Sequence, residues 1–448
     1  MAAPLSPTVV RAVGRWSLVA FVVNGIIGSG VFVLPGDIGG RFGWPALLAW
    51  VLAGLCTATM VLAFCEVSSR FEVAGGAYVY AQEAFGRFPG LQMAWMAYLV
   101  RCITAATQAG VFSTYLGTLW PWAGTTMGAR VVTVAFFGGL AAVNIRGVSS
   151  GARASNLLAI AKTAMLLAVG VGGLAWLAMG RAVPVTAPTV SGTDGWLAAV
   201  LLLMFAFGGF ESAVIAAAEA KDPRRDAPFA ILTGLGVATL VYLAAQATVL
   251  ATVANPAASK TPLADAATTL AGPVGATLVT LTALAALYGW LAAGMLNVPR
   301  MTMAMAERGD LPAVLARVHA RFRTPWVSIV AFASISCALA LSASVIQNLS
   351  LSAVSRLFVY GGVCATLPVF RRWDRAGRTA VGGVVAPAAF RVPAGALVAV
   401  LGMGAALVLA SRMTAREGWS LLLVATVATA HWGVVRWRGG TGDRRPPA

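Results

Sequence analysis

Asn24-Gly25-Ile26-Ile27-Gly28-Ser29-Gly30 interrupts an otherwise apolar run from residue 15 to residue 40. A second interruption, Phe207-Gly208-Gly209-Phe210-Glu211-Ser212, falls inside the apolar run from 196 to 220, and Gly28 and Gly208 are 180 residues apart. Unpaired backbone groups in hydrocarbon cost roughly several kcal/mol each, so a break at mid-membrane depth persists only where protein, water or a ligand satisfies them. Each break is therefore a candidate binding site. The competing reading is that the glycines only allow close helix packing.

The rest of the chain fits a membrane setting. Of its 448 residues 59% are hydrophobic and 10% charged, against roughly 25% charged in an ordinary soluble domain. Apolar stretches of about 20 residues, enough to cross a hydrocarbon core, recur along the chain. Hydropathy and breakers predict an all-α membrane protein of about twelve spans: 15–40, 45–67, 88–118, 130–144, 153–178, 196–220, 227–252, 271–304, 327–342, 351–370, 393–411 and 417–436. The whole of 1–448 reads as one transmembrane domain with short tails. The offset between the breaks carries the first five spans onto the next five. That predicts a five-plus-five inverted repeat, about 15–178 and 196–370, with discontinuous helices 1 and 6 and two extra helices over about 393–436. The N-terminal MAAPLSPTVVRAVGRW leads into an apolar segment without an A-x-A-like cleavage site, so it reads as a first span and not a removable signal.

The net charge of +17 raises nucleic acid as a partner, and the placement of the cations removes it. With the N-terminus inside, 23 of the 32 Lys and Arg lie in inner segments, six in outer ones, and Arg101, Lys162 and Arg356 within spans. Such a bias orients helices, placing both termini in the cytoplasm and the protein in the inner membrane. It builds no continuous groove for phosphates. Cys56, Cys65, Cys102, Cys337 and Cys364 all lie in apolar stretches, which predicts buried small residues and no disulfide framework.

Chain direction gives the breaks opposite polarity. Span 1 runs outward, so the half-helix restarting after Gly28-Ser29-Gly30 points free N–H groups and its positive dipole end at the break, which suits a carboxylate. Span 6 runs inward, so the half-helix ending near Phe205-Ala206-Phe207 presents carbonyls and a negative end, which suits an ammonium. Together they suit an α-amino acid zwitterion.

At these residues the sequence resembles the amino acid-polyamine-organocation superfamily of permeases. The matching stretches are GIIGSGVFVLP at 25–35, GGAYVY at 75–80, FGGFES at 207–212 with AEAKDPRRDAP at 218–228, and MAMAERGDLP at 303–312. The resemblance implies twelve spans, the inverted repeat and alternating access. It implies that a substrate carboxylate rests on the amides of Gly28, Ser29 and Gly30. It also implies that the ammonium rests on the carbonyls of Ile26, Phe205 and Gly208. Phe205 falls at the lid position, and Trp290 matches a substrate-contacting tryptophan of the arginine/agmatine antiporters. Those antiporters carry tryptophan at both places and an asparagine near Ala105, and these departures put arginine/agmatine exchange in doubt.

Charges inside spans need a partner or a task, because a lone cation at a helix centre costs at least about 2.5–3.5 kcal/mol on insertion scales. Lys162 aligns with a lysine that in sodium-independent relatives stands in a sodium ion's place, and it would donate to carbonyls at the span 1 break; otherwise it snorkels to an interface. Glu211 is either a proton carrier for coupling or gating, or a static anchor of the span 6 break. Arg101 and Arg356 are expected to pair with carbonyls or cap helices, with substrate selection as the other reading.

The function expected is secondary, sodium-independent transport of amino acids by proton-coupled symport or by exchange, with neutral substrates favoured and a homodimer allowed. A cationic amino acid or polyamine antiporter is the alternative. No cofactor is expected and no P-loop appears. His319 and His431 give neither a metal cluster nor a nucleophile–base pair, which leaves an integral membrane enzyme weakly supported. A channel is the remaining class, disfavoured by an occluding site at broken helices.

Overall fold

The computed structural model describes residues 14–71, 76–147, 152–185, 192–211, 222–309, 311–380 and 384–438. They fold mainly into helices, with no strand among them. An apolar chain that must satisfy its own backbone has the helix as its natural solution. The first break lies between α1 (Arg15–Ile26) and α2 (Gly30–Phe42), whose axes bend by 51°. α3 (Ala46–Ser68), a short α4 (Ala77–Phe85), α5 (Arg87–Leu119), α6 (Thr126–Ile145) and α7 (Ala152–Ala178) follow.

α8 (Thr193–Met204) ends at the second break, where the chain turns through Phe205–Phe210 and re-enters a helix at Glu211. The expected remainder of span 6, from Ser212, lies outside the described residues. Then come α9 (Pro223–Thr252), α10 (Pro262–Glu307), α11 (Trp326–Ser342), α12 (Val345–Arg375), α13 (Gly395–Ala410) and α14 (Ala415–Arg438).

The predicted spans fall on these helices, with differences at the ends. α10 begins nine residues before the expected 271, and its backbone leaves helical geometry at Ala271 and Gly272, the latter at φ +67°. The expected start is thus a kink between a short leading helix and the long one. By length and apolarity six helices can cross a membrane, or eight if each of two bent pairs counts as one span. α13 and α14 form one of those pairs, but their 119° turn partly reverses the chain, as two successive crossings would. α8 and α11 are shorter apolar helices. Twelve crossings and an inverted repeat go beyond this length criterion. All five cysteines are free, with Cys56 and Cys337 only half-buried, so the expectation of burial fails at those two.

One end of the bundle is tied by buried charge. Glu66, at the end of α3, accepts from Arg371 of α12 at 2.6 and 2.8 Å, from the Val392 amide at 2.8 Å and from Arg70 at 3.3 Å. Asp374 accepts both Arg70 terminal nitrogens at 2.9 Å and Arg391 at 3.0 Å. Every carboxylate oxygen in this cluster has a cationic or amide donor, the condition under which buried charge is tolerated.

Candidate functional site

The two breaks meet. Gly209 sits at φ +111°, in the left-handed region that favours glycine, and a Cβ there would collide with the Gly25 carbonyl. A Cβ on Gly25 would in turn lie 3.1 Å from the Gly209 oxygen. One on Gly30 would lie 3.0 Å from the Ala206 Cβ. Close packing and an open helix end are therefore the same feature here: glycine lets the unwound segments touch while their backbone groups stay available. At Gly28 the nearest atom to a Cβ would be the flexible Gln108 Nε2, at 3.3 Å.

Side chains from neighbouring helices hold the span 1 break. Lys162 of α7 is 4% exposed, and its Nζ donates to the Ile27 carbonyl at 2.6 Å and the Asn24 carbonyl at 3.1 Å. The ammonium is turned into the protein and not toward an interface. The Tyr242 hydroxyl of α9 lies 2.9 Å from the Ile26 oxygen and 2.7 Å from the Ala206 oxygen. It carries one proton, so it donates to one break at a time. The Ile26 oxygen also accepts the Gly28 amide at 2.8 Å, and the Phe205 oxygen accepts the Gly208 amide at 3.1 Å. Two of the three carbonyls and one of the three amides named from the sequence are thus already engaged. A helix leaves the N–H groups of its first turn without a full intrahelical partner, and in α2 that of Phe32 is bonded to the Ser29 carbonyl at 3.1 Å.

The span 6 break is held by Glu211. One carboxylate oxygen accepts Arg356 Nη1 of α12 at 2.7 Å; the other accepts the Gly209 amide at 2.9 Å and the Tyr360 hydroxyl at 3.0 Å. Arg356 also donates to Tyr360 and to Thr104 of α5, both at 3.1 Å. Its guanidinium lies 5.8 Å from the centre of the Phe205 ring and fills the place a Gly208 side chain would take. The expectation that Arg356 pairs with carbonyls or caps a helix is corrected: its partner is the break's own carboxylate, because the missing Cβ at Gly208 lets the guanidinium reach it. Arg101 interacts electrostatically with both Glu211 and Arg356.

Between the breaks lies a cavity of about 20 Å³, room for one water-sized group. Of the residues named from the sequence, Ile26, Gly28, Gly30, Phe205, Gly208 and Trp290 line it. Ser29 is fully buried behind it, and its hydroxyl has no partner among the described residues. Ala105 was expected at the pocket but packs instead with Cys102, Ala109 and the α11 side. The face of α5 that meets the cavity carries Arg101, Thr104 and Gln108. Their i, i+3, i+7 spacing on an apolar helix was the available signal for them.

A family model described as "Amino acid permease" matches residues 13–429. The serine/threonine exchanger SteT of Bacillus subtilis (strain 168) is 31% identical over 78% of this chain and 80% of that protein. An uncharacterized transporter of Mycobacterium tuberculosis is 29% identical, with 74% of each chain covered. The methylthioribose transporter of Bacillus subtilis (strain 168) is 26% identical over 72% of each.

Proposed function

We propose, from the premise that this chain belongs to the amino acid permease family, that it carries neutral amino acids across the cytoplasmic membrane by sodium-independent exchange or proton-coupled symport. The relatives are named as transporters and exchangers, which indicates a transporter and not an enzyme. The observation that carries the finer reading is the contact of two broken helices around one cavity. On it, amides at the opening of α2 take the substrate carboxylate, and carbonyls at the two breaks take the ammonium. Phe205 and Trp290 cover the substrate, and Lys162 supplies permanently the charge that sodium supplies elsewhere. The twelve spans form a five-plus-five inverted repeat with both termini inside, and transport proceeds by alternating access.

A cationic substrate fits this cavity poorly. Among the described residues its lining includes two guanidinium groups and no carboxylate, and the nearby Glu211 is engaged with Arg356. In hydrocarbon surroundings a third cation would meet little screening. Competition against counterflow of a labelled neutral amino acid in proteoliposomes tests this. Leucine, methionine and other neutral amino acids should compete, and arginine and agmatine should not. Stronger competition by arginine or agmatine would overturn it and favour the cationic antiporter, with Trp290 holding the cation by its ring face.

A further inference from the structure

We infer that the end of α12 binds the headgroup of an anionic phospholipid, held by Arg372, Arg375 and Arg378 beside Trp373. The inference goes beyond the transport reading and uses none of the residues assigned to it. α12 is one of the six helices long and apolar enough to cross a membrane, so its last turn, ending at Arg375, lies at the depth of lipid headgroups.

Charge at that end divides into two sets. Arg70, Arg371 and Arg391 pair with the carboxylates of Glu66 and Asp374. Arg372, Arg375 and Arg378 are exposed and have no carboxylate partner among the described residues. Helix phase separates the sets. Arg371 and Asp374, three apart, face the end of α3, and Arg372 and Arg375, each one position on, point about 100° round from them. Six guanidinium groups thus stand against two carboxylates, with the surplus on the exposed side.

The way α12 ends brings the third arginine to the other two. Gly377 sits at φ +66°; its amide donates to the Asp374 carbonyl at 3.2 Å and the Arg378 amide to the Trp373 carbonyl at 3.0 Å. This double closure turns the chain back, and the Arg378 guanidinium lies over the Trp373 ring, 4.7 Å from its centre. Trp373 is half-buried against Phe370, its ring edge-on at 5.5 Å, which is how a tryptophan sits at headgroup depth. The Ala376 amide takes the Arg372 carbonyl at 3.0 Å, so backbone amides already satisfy these last carbonyls and none of the three arginines is needed to cap them. The helix dipole alone would draw cations here; a lipid phosphodiester gives their N–H groups oxygen acceptors as well. Three cations together disfavour a headgroup that carries its own choline or ammonium, and favour one whose only charge is the phosphate.

Phosphatidylglycerol titrated into the purified protein in neutral detergent tests this, read by Tm and by lipid retained in native mass spectrometry, with phosphatidylcholine as the comparison. Phosphatidylglycerol should be retained, and should raise Tm at a mole fraction where phosphatidylcholine does not. In Arg372→Gln/Arg375→Gln/Arg378→Gln the half-saturating mole fraction should rise by roughly fivefold per arginine, about a hundredfold in all. Lysine at the same three positions keeps the charge and should restore most of the binding. Arg308→Gln/Arg317→Gln/Arg321→Gln removes the same net charge from exposed positions between α10 and α11, and should leave binding as it was. Equal shifts in the two glutamine variants would mean diffuse attraction to a cationic face and overturn the proposal, as would equal retention of the two lipids by the unmodified protein. Inorganic phosphate or glycerol phosphate raising Tm as far as the lipid does would assign the patch to a free anion, and also overturns it. Should the triple variant not fold, Arg372→Gln and Arg375→Gln singly carry the test, each expected at roughly fivefold and each contradicting the proposal if unchanged. No readout here needs transport, so the result stands apart from the fate of the permease reading.

Discussion

Glu211→Ala should abolish transport and destabilise the protein by about 3–5 kcal/mol, the cost of removing one partner from a buried ion pair. The carboxylate accepts from Arg356, Tyr360 and the Gly209 amide, and the Glu211 and Arg356 side chains are 16% and 5% exposed. Without it the Arg356 guanidinium stays in the cavity wall with no counter-charge in contact among the described residues. Glu211→Gln keeps a group of the same shape with one accepting oxygen in place of two, and should lie between the two in thermal stability in detergent. The two roles open for Glu211 then separate. A static anchor makes exchange and accumulation fall together in Glu211→Gln. A proton carrier makes proton-driven accumulation disappear while exchange continues. Exchange and accumulation both at the unmodified rate would exclude both roles.

Lys162→Ala should weaken substrate affinity strongly, because it leaves the Asn24 and Ile27 carbonyls without the ammonium that now donates to them. Each unpaired buried carbonyl costs roughly 1–3 kcal/mol, and both belong to the segment whose amides are proposed to bind the carboxylate. Part of that cost would appear as a disordered break and part as lost binding. If Lys162 is a brace, exchange persists in Lys162→Ala at reduced affinity with its pH profile kept. If it is the coupling group, net proton-driven accumulation vanishes and exchange remains. Unchanged affinity and unchanged accumulation would remove Lys162 from the mechanism.

Much of the backbone plan was legible because it is written in residue types that membranes restrict severely. Glycines in NGIIGSG and FGGFES stand out in apolar runs, and the structure unwinds at both. Lys162 was legible for the same reason, as a cation where hydrocarbon allows few. Side-chain facing was much less legible. A helical residue's direction changes by about 100° per position. An assignment to Ala105 therefore missed the cavity, while Thr104, one residue earlier, lines it. Tyr242 and Tyr360 escaped notice because a tyrosine in a span is ordinary, and its value here comes from partners 216 and 149 residues away in sequence. The pairing of Arg356 with Glu211 across 145 positions is of the same kind, and needed the missing side chain at Gly208 as well.

The central claim is carriage of an amino acid at a site braced by Lys162 without sodium, and counterflow tests it most directly. Purified protein in proteoliposomes loaded with a neutral amino acid would be diluted into the labelled form, with sodium replaced by choline on both sides. The account predicts saturable uptake that depends on the internal amino acid and does not change when sodium is restored. Uptake that requires a sodium gradient, or counterflow absent for every amino acid by a folded protein, would contradict it.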